Sequence, residues 1–411
     1  MGFRTTRRPG RPALALRAAP QVLLSPTAGA IVDRCPKRTA LRLADLGGLL
    51  TVGALSAVYF SGQLRLWLIY IAVALLGSAA AFQYPALSSA IPLLVEKDRL
   101  QRANGLVGTA RSVADICGPA LAGVLIATSG LRAVLIADLA SFAVALLSVQ
   151  LVRLTEAPRD DTTGRRRLAA DSVEGLRYLF ARPSLRGLTL VIFVVNLVMV
   201  FGYTIVQPMI LARTGNDTSA LASVMTSIGV GGITGGLLLG AWGGPRSRVR
   251  GMMLGIIGMC LSSQVLMASV RGVAAWCAAI LVGALLMPVV NGTLQAIIQT
   301  KVPPDRLGRV FGAVMFVSQI SAPVAIATSG LLADHVFEPQ AAAGTGLVGL
   351  LRPLVGHGHG SGMAAMLLLA GLCGTAVAVW GLTNRTVRDI DELIPDLDSA
   401  AATPATGRVR T

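Results

Sequence analysis

Long apolar runs, each bounded by a short polar connector, recur along the chain. They fall at 13–32, 40–61, 64–92, 104–127, 131–152, 187–211, 218–242, 251–270, 273–299, 307–332 and 363–382. Each is close to the roughly 20 residues that a helix needs to cross the hydrocarbon core of a bilayer. Several contain Gly and Pro, which spanning helices tolerate because neighbouring helices re-satisfy the freed backbone groups. The pattern predicts an all-α integral membrane protein with about 11 transmembrane helices.

Composition points to the same class. Of 411 residues, 54% are apolar and 14% charged, with a mean hydropathy of +0.68. A soluble chain carries roughly a quarter of its residues as charges. Lys and Arg outnumber Asp and Glu by 36 to 20, a formal charge of +16. In a soluble protein this excess would suggest nucleic acid. Here the basic residues stand in the connectors with almost no aromatic residues among them, so the bilayer is the expected partner and nucleic acid is not. The five cysteines form no CxxC pair and no Cys/His spacing of a zinc site, and are read as free thiols.

Connector charge also sets an orientation. Arg34, Lys37, Arg38 and Arg42 follow the first run, and Lys97, Arg99 and Arg102 the third. A basic connector runs from Arg153 to Arg186 after the fifth. Arg246, Arg248 and Arg250 follow the seventh, and Lys301, Arg306 and Arg309 the ninth. The alternate connectors mostly hold one basic residue each: Arg65, Arg132, Arg213, Arg271 and Arg352. By the positive-inside rule the rich connectors are cytoplasmic, and so is the C-terminus with Arg385 and Arg388. The expected location is the cytoplasmic (inner) membrane. Residues 1–12 break the alternation, because they fall outside yet carry Arg4, Arg7, Arg8 and Arg11. One further span ahead of residue 13 would return the N-terminus to the cytoplasm and give 12 in all.

The chain repeats itself. Asp98-Arg99-Leu100-x-Arg102 matches Asp305-Arg306-Leu307-x-Arg309, an offset of 305−98=207. Gly105 and Gly312 follow at the same distance, and Pro119 and Pro323 lie deeper in each run. Gly29 and Asp33-Arg34 correspond to Gly240 and Gly244-Pro245-Arg246, an offset of 240−29=211. Two halves in parallel register are the mark of one large transporter architecture. The expected organisation is a basic N-terminal segment (1–12), an N-terminal bundle of five spans (13–152), a cytoplasmic connector (153–186), a C-terminal bundle of six spans (187–382) and a cytoplasmic tail (383–411).

Gly29-Ala-Ile-Val-Asp33-Arg34-Cys-Pro-Lys37-Arg38 resembles the loop between the second and third helices of major facilitator proteins, with Pro36 in place of the family's second Gly. The resemblance implies two pseudo-symmetric helix bundles and makes Gly29, Asp33, Arg34, Lys37 and Arg38 a cytoplasmic gate, in which the Asp pairs with cationic groups and a helix N-terminus. Asp45, near the cytoplasmic end of its span, is assigned to the same network. Gly105, Ala114, Gly118-Pro119 and Ala122-Gly123 stand at the spacing of the family's antiporter motif. They read as a sealing bend (Gly105, Gly118, Pro119, Gly123) or as ordinary small-residue packing between helices. Pro85-Ala-Leu, Ala103-Asn104-Gly105, Gly118-Pro119-Ala120-Leu121, Glu174-Gly175-Leu176-Arg177-Tyr178 and Asp391-Glu392-Leu393 resemble the enterobactin-exporter and macrolide-efflux branch. That likeness omits 1–12 and the 335–360 loop.

Ionisable groups at membrane depth are candidates for function, since burying them is costly. Arg111 and Asp115 lie one helical turn apart. Asp115 is either a carboxylate that takes and releases a proton or half of a permanent pair with Arg111. Asp138 can line the outer cavity or pair with a neighbouring helix. Among the amides, Asn196, Gln207, Gln264, Asn291, Gln295, Gln299 and Gln319, the stripe Asn291, Gln295 and Gln299 recurs every four residues. Such a stripe faces a cavity or another helix rather than lipid. Asn196, Asn291, Gln295 and Gln319 are the candidate substrate-cavity residues. His335, His357 and His359 offer too few ligands for a metal. No Gly-x4-Gly-Lys-Ser/Thr phosphate loop and no nucleophile elbow occurs.

Together these features predict a monomeric secondary exporter of small amphipathic molecules, drug- or siderophore-like. It would work by proton antiport with alternating access, as neither an enzyme nor a cofactor protein. An uncoupled facilitator, a lysolipid flippase and a non-transporting, truncated membrane protein are the alternatives.

Overall fold

The computed structural model describes residues 10–152, 168–394 and 396, which fold into helices joined by short turns. No strand occurs among the described residues. The expected basic segment at 1–9, the connector from 153 to 167, and the tail at 395 and from 397 onward lie outside them.

In chain order the helices are α1 (Gly10–Arg34), α2 (Lys37–Phe60), α3 (Leu66–Ala90), α4 (Leu100–Leu151), α5 (Leu168–Ala181), α6 (Pro183–Arg213), α7 (Thr218–Trp242), α8 (Arg248–Cys260) and α9 (Met267–Ser269). There follow α10 (Val273–Lys301), α11 (Leu307–Leu332), α12 (Glu338–Ala343), α13 (Gly346–Val355), α14 (Ser361–Thr383), α15 (Arg385–Arg388) and α16 (Ile390–Leu393). Every apolar run falls on helix. Nine segments among the described residues are long and apolar enough to cross a membrane. They do not include α1, which carries Arg11, Arg17 and two prolines, or the part of α4 before Leu121, which carries Arg102, Arg111 and Asp115.

Local chemistry explains the boundaries. Asp217 caps α7 by accepting from Ser219 N (2.8 Å) and Ala220 N (3.3 Å). The Ser219 hydroxyl, which donates to the same oxygen at 2.6 Å, and then those two amides hold its carboxyl below the ordinary value. Gly243 ends α7 in the left-handed region, at φ 90°. Within α4 the backbone leaves helical geometry at Gly130 (φ 72°, ψ −175°), dividing it into the two arms expected at 104–127 and 131–152. Pro119 lies inside the first arm, where the helix continues.

Three stretches differ from expectation. The run at 251–270 is α8 and α9 joined by a π-helical turn, Leu261–Leu266. There Ser262 and Ser263 hydroxyls both donate to Met259 O, and Gln264 reaches α6 through Val198 O (3.0 Å). Side chains that compete for helix carbonyls favour such irregularity. The connector holds the amphipathic α5, and the 335–360 loop holds α12 and α13.

By contact the chain divides into two compact units. The first comprises Met1–Val95, Pro119–Tyr178 and Pro304–Phe316; the second comprises Glu96–Gly118, Leu179–Pro303 and Val317–Thr411. Each unit thus takes one segment from the opposite half of the sequence, and both borrowed segments carry the repeated Asp-Arg-Leu-x-Arg motif. In the first unit α3 packs against α1 and α2. In the second, α10 packs against α7 and α8, and α14 against α6 and α8. The α7–α10 approach depends on glycine: a Cβ at Gly231 would lie 2.6 Å from Leu281 O, and one at Gly235 would collide with Leu285 O.

Candidate functional site

The chemistry of the first unit concentrates where the end of α1 meets the start of α11. Glycines allow the approach: a Cβ at Gly29 would collide with Gly308 O, and one at Gly312 with Ser25 O. One turn beyond Gly29, the Asp33 carboxylate accepts from Gly308 N (2.7 Å) and Arg309 N (2.8 Å). These are unpaired amides of the first turn of α11, where the helix dipole favours an anion. Lys37 donates to Asp33 Oδ1 (2.9 Å) and Val32 O (3.0 Å), with both side chains buried.

The connector helix adds a second layer. Arg309 donates to Glu174 Oε2 (2.6 Å) and approaches Asp171 at 3.5 Å. Arg34 Nε donates to Asp171 Oδ2 at 3.0 Å. Arg306 lies 3.6 Å from Glu174 and over the ring of Tyr178 at 6.0 Å. A Cβ at Gly175 would collide with Arg309 O, so α5 lies directly on the α11 backbone. Asp33, Asp171 and Glu174 therefore share Arg34, Lys37, Arg306 and Arg309 in one network.

Other residues assigned to the gate are placed elsewhere. Arg38 donates to Val149 O (3.1 Å) and also to Gln150 O, capping the C-terminus of α4. Asp45 is two turns beyond Lys37 on α2, where it faces α3 and accepts from Gln83 Nε2 (3.0 Å).

The second unit holds the repeat-related crossing, of α7 on the start of α4. A Cβ at Gly105 would lie 2.9 Å from Leu239 Cγ, and one at Gly236 would collide with Thr109 Oγ1. Gly244 (φ 88°) occupies the position equivalent to Asp33, and its Cβ would lie 2.6 Å from Gln101 Oε1. Behind this crossing, Asn104 Nδ2 donates to Gln299 Oε1 (2.9 Å). The tail folds back on the same unit. Lys301, buried at the end of α10, donates to Asp391 O (3.1 Å) and Ile394 O, and pairs with Asp396 at 2.9 Å. Arg388 pairs with Asp389 at 2.7 Å and holds that carboxyl below its ordinary value.

The remaining candidates stay apart. Arg111 and Asp115 are both exposed, and no ion pair joins them among the described residues. Asp138 is exposed as well. Gly118 and Gly123 face open space, so of the three bend glycines only Gly105 shows close packing at its α-carbon. The amide stripe splits: Asn291 is exposed, Gln295 half-buried, and Gln299 buried against Asn104. Gln319 is half-buried, and Asn196 donates to Ile192 O of its own helix (2.9 Å).

The family model "Major Facilitator Superfamily" matches residues 13–326. The chain belongs to the major facilitator superfamily. It is similar to macrolide efflux protein A of Streptococcus pyogenes, 27% identical over 332 residues, covering 77% of this chain and 78% of that protein. It is also similar to the multidrug efflux pump Tap of Mycolicibacterium fortuitum, 24% identical over 326 residues, covering 77% and 78%. The crystal structure of the human organic anion transporter MFSD10 (TETRAN) superposes with a TM-score of 0.67 at 16% identity, covering 90% of this chain and 83% of that one, a likeness of fold. This major facilitator protein is thus a multi-pass membrane transporter whose relatives are transporters rather than enzymes.

The cluster around Asp33 contains partners that the sequence did not single out for it. Glu174, Arg306 and Arg309 stood out only as motif and repeat residues, and Asp171 not at all. The available signal was an acidic pair three residues apart, opening an amphipathic helix inside an otherwise basic connector.

Proposed function

We propose that this transporter exports small amphipathic molecules, drug- or siderophore-like, by proton-coupled alternating access. The observation that supports this most directly is the Asp33 latch. A buried carboxylate of the first sequence half sits on the N-terminal amides of α11 in the second half. Alternating access requires a contact of this kind to form and break, because a substrate can enter from that side only when α1 and α11 part. The basic connectors support a cytoplasmic side for the latch and the C-terminus, with the protein in the inner membrane.

Proton coupling is assigned to Asp115 and Asp138, one on each arm of α4 and both exposed. A carboxylate free of a fixed cation can change its protonation without first breaking an ion pair. Asn291, Gln295, Asn196 and Gln319 supply hydrogen-bonding groups on otherwise apolar helices, suited to a substrate with a large apolar part and few polar groups. The similarity to macrolide efflux protein A and to Tap supports the outward direction. One copy of the chain forms the working unit.

Cells expressing the protein should accumulate less of a macrolide than control cells, and a protonophore should abolish the difference. Asp115→Asn should abolish it too while leaving membrane insertion intact. Efflux that persists in both conditions would replace antiport with an uncoupled facilitator.

A further inference from the structure

The segment between α11 and α14 lies outside every motif of the transport machinery, yet it is tightly built. The ten residues of α13 rise only about 15 Å, half of what a span requires. Both ends of the segment are tied to spans. Arg213, in the last turn of α6, donates to Val355 O (2.7 Å) at the C-terminus of α13. The Glu338 carboxylate accepts from Met363 N (3.0 Å), in the first turn of α14. Gly344 (φ 65°) and Gly356 (φ 77°) make the turns on either side. On one face of α13, Val348 and Val355 are buried among Met209, Ile210, Trp276 and Ala364.

A second face is equally apolar and uncovered. Leu347, Leu350 and Leu354 follow the i, i+3, i+7 spacing and are 42%, 76% and 52% exposed. Leu331, Leu332 and Val336, in the last part of the preceding span, are exposed too. α13 itself packs against α14 and α9, which belong to membrane-crossing segments. Arg352 is exposed, and its Nε donates to His357 Nδ1 (2.5 Å), an arrangement that leaves the two terminal guanidinium nitrogens available.

We propose that α13 is an interfacial helix seated in the outer leaflet, on the side opposite the basic connectors. Leu347, Leu350 and Leu354 enter the acyl-chain boundary, and Arg352 meets lipid phosphate at headgroup level. Short helices with an apolar face and a basic residue at its edge bind bilayers in this way, with the arginine stem lying along apolar surface while its head stays polar. Held so, α13 fixes the outer ends of α6, α11 and α14 at one depth.

The test replaces Leu350 with the photocrosslinker p-benzoylphenylalanine in full-length protein, reconstituted in vesicles of phosphatidylethanolamine and phosphatidylglycerol. Leu372 on α14, 47% exposed, serves as a lipid-facing reference, and Leu354 as a second site should the first variant fail to express. Irradiation should give phospholipid adducts at position 350 or 354, as at 372. Adducts to a second copy of the chain, or no lipid adduct where position 372 yields one, would overturn the assignment.

Discussion

The two glycine-lined crossings, α1 on α11 and α7 on α4, descend from the same repeat and work differently. Gly29 matches Gly240, and Gly312 matches Gly105, so both bring backbones together at equivalent points. At the next turn they diverge. The first crossing places a buried Asp33 on two amides and on Lys37, whereas the second has Gly244 at that position, with φ 88°. An L-residue there would be strained, and its Cβ would meet Gln101 Oε1. The second crossing relies instead on packing, with the neutral Asn104–Gln299 bond tying α4 to α10 behind it. A duplicated scaffold has thus kept close approach on both sides and buried charge on one.

The largest effect is expected from Asp33→Ala. It leaves Lys37 buried without its carboxylate and two helix amides unpaired, a loss of about 3–5 kcal/mol from the latched form. Macrolide accumulation should return to the level of cells lacking the protein. Normal efflux by a normally inserted variant would remove the latch from the mechanism.

Next come the paired substitutions Gly29→Ala and Gly240→Ala. The first drives a methyl into the Gly308 carbonyl, which cannot turn aside, and should cost about 1–3 kcal/mol. The second meets only the flexible end of Leu106, at 3.1 Å, and should lower the melting temperature in detergent far less. Equal shifts would mean that the two crossings bear the same load.

The smallest effect belongs to Asn104→Ala, which removes a neutral hydrogen bond worth about 0.5–1.5 kcal/mol. Thermal stability should fall slightly while efflux persists. A transport loss as large as that of Asp33→Ala would show that the neutral crossing gates as well.

Much of this was legible in the order of residues. Spans and connectors follow from hydropathy, because hydrocarbon admits helices and excludes unpaired backbone, and the repeat follows from its Asp-Arg-Leu-x-Arg motif. The Asp33 loop followed from its Gly, Asp and basic spacing. The structure sets two of the assigned gate residues apart from the Asp33 cluster. Asp45 faces α3 rather than the latch because it lies two turns along α2, and Arg38 points to the carbonyls ending α4. The polar serines at 262 and 263 marked the π-turn, but helix periodicity does not register one extra residue per turn.

The sequence by itself determined that the chain crosses a membrane, which runs form helix, and which positions repeat, since each depends on residues near one another along the chain. Only the tertiary structure decided the partners of Asp33: the amides at Gly308 and Arg309, and the connector carboxylates that hold Arg309. It also decided that the units exchange the starts of α4 and α11. Those contacts join residues more than a hundred positions apart, and packing, rather than local pattern, selects which helix end meets which charge.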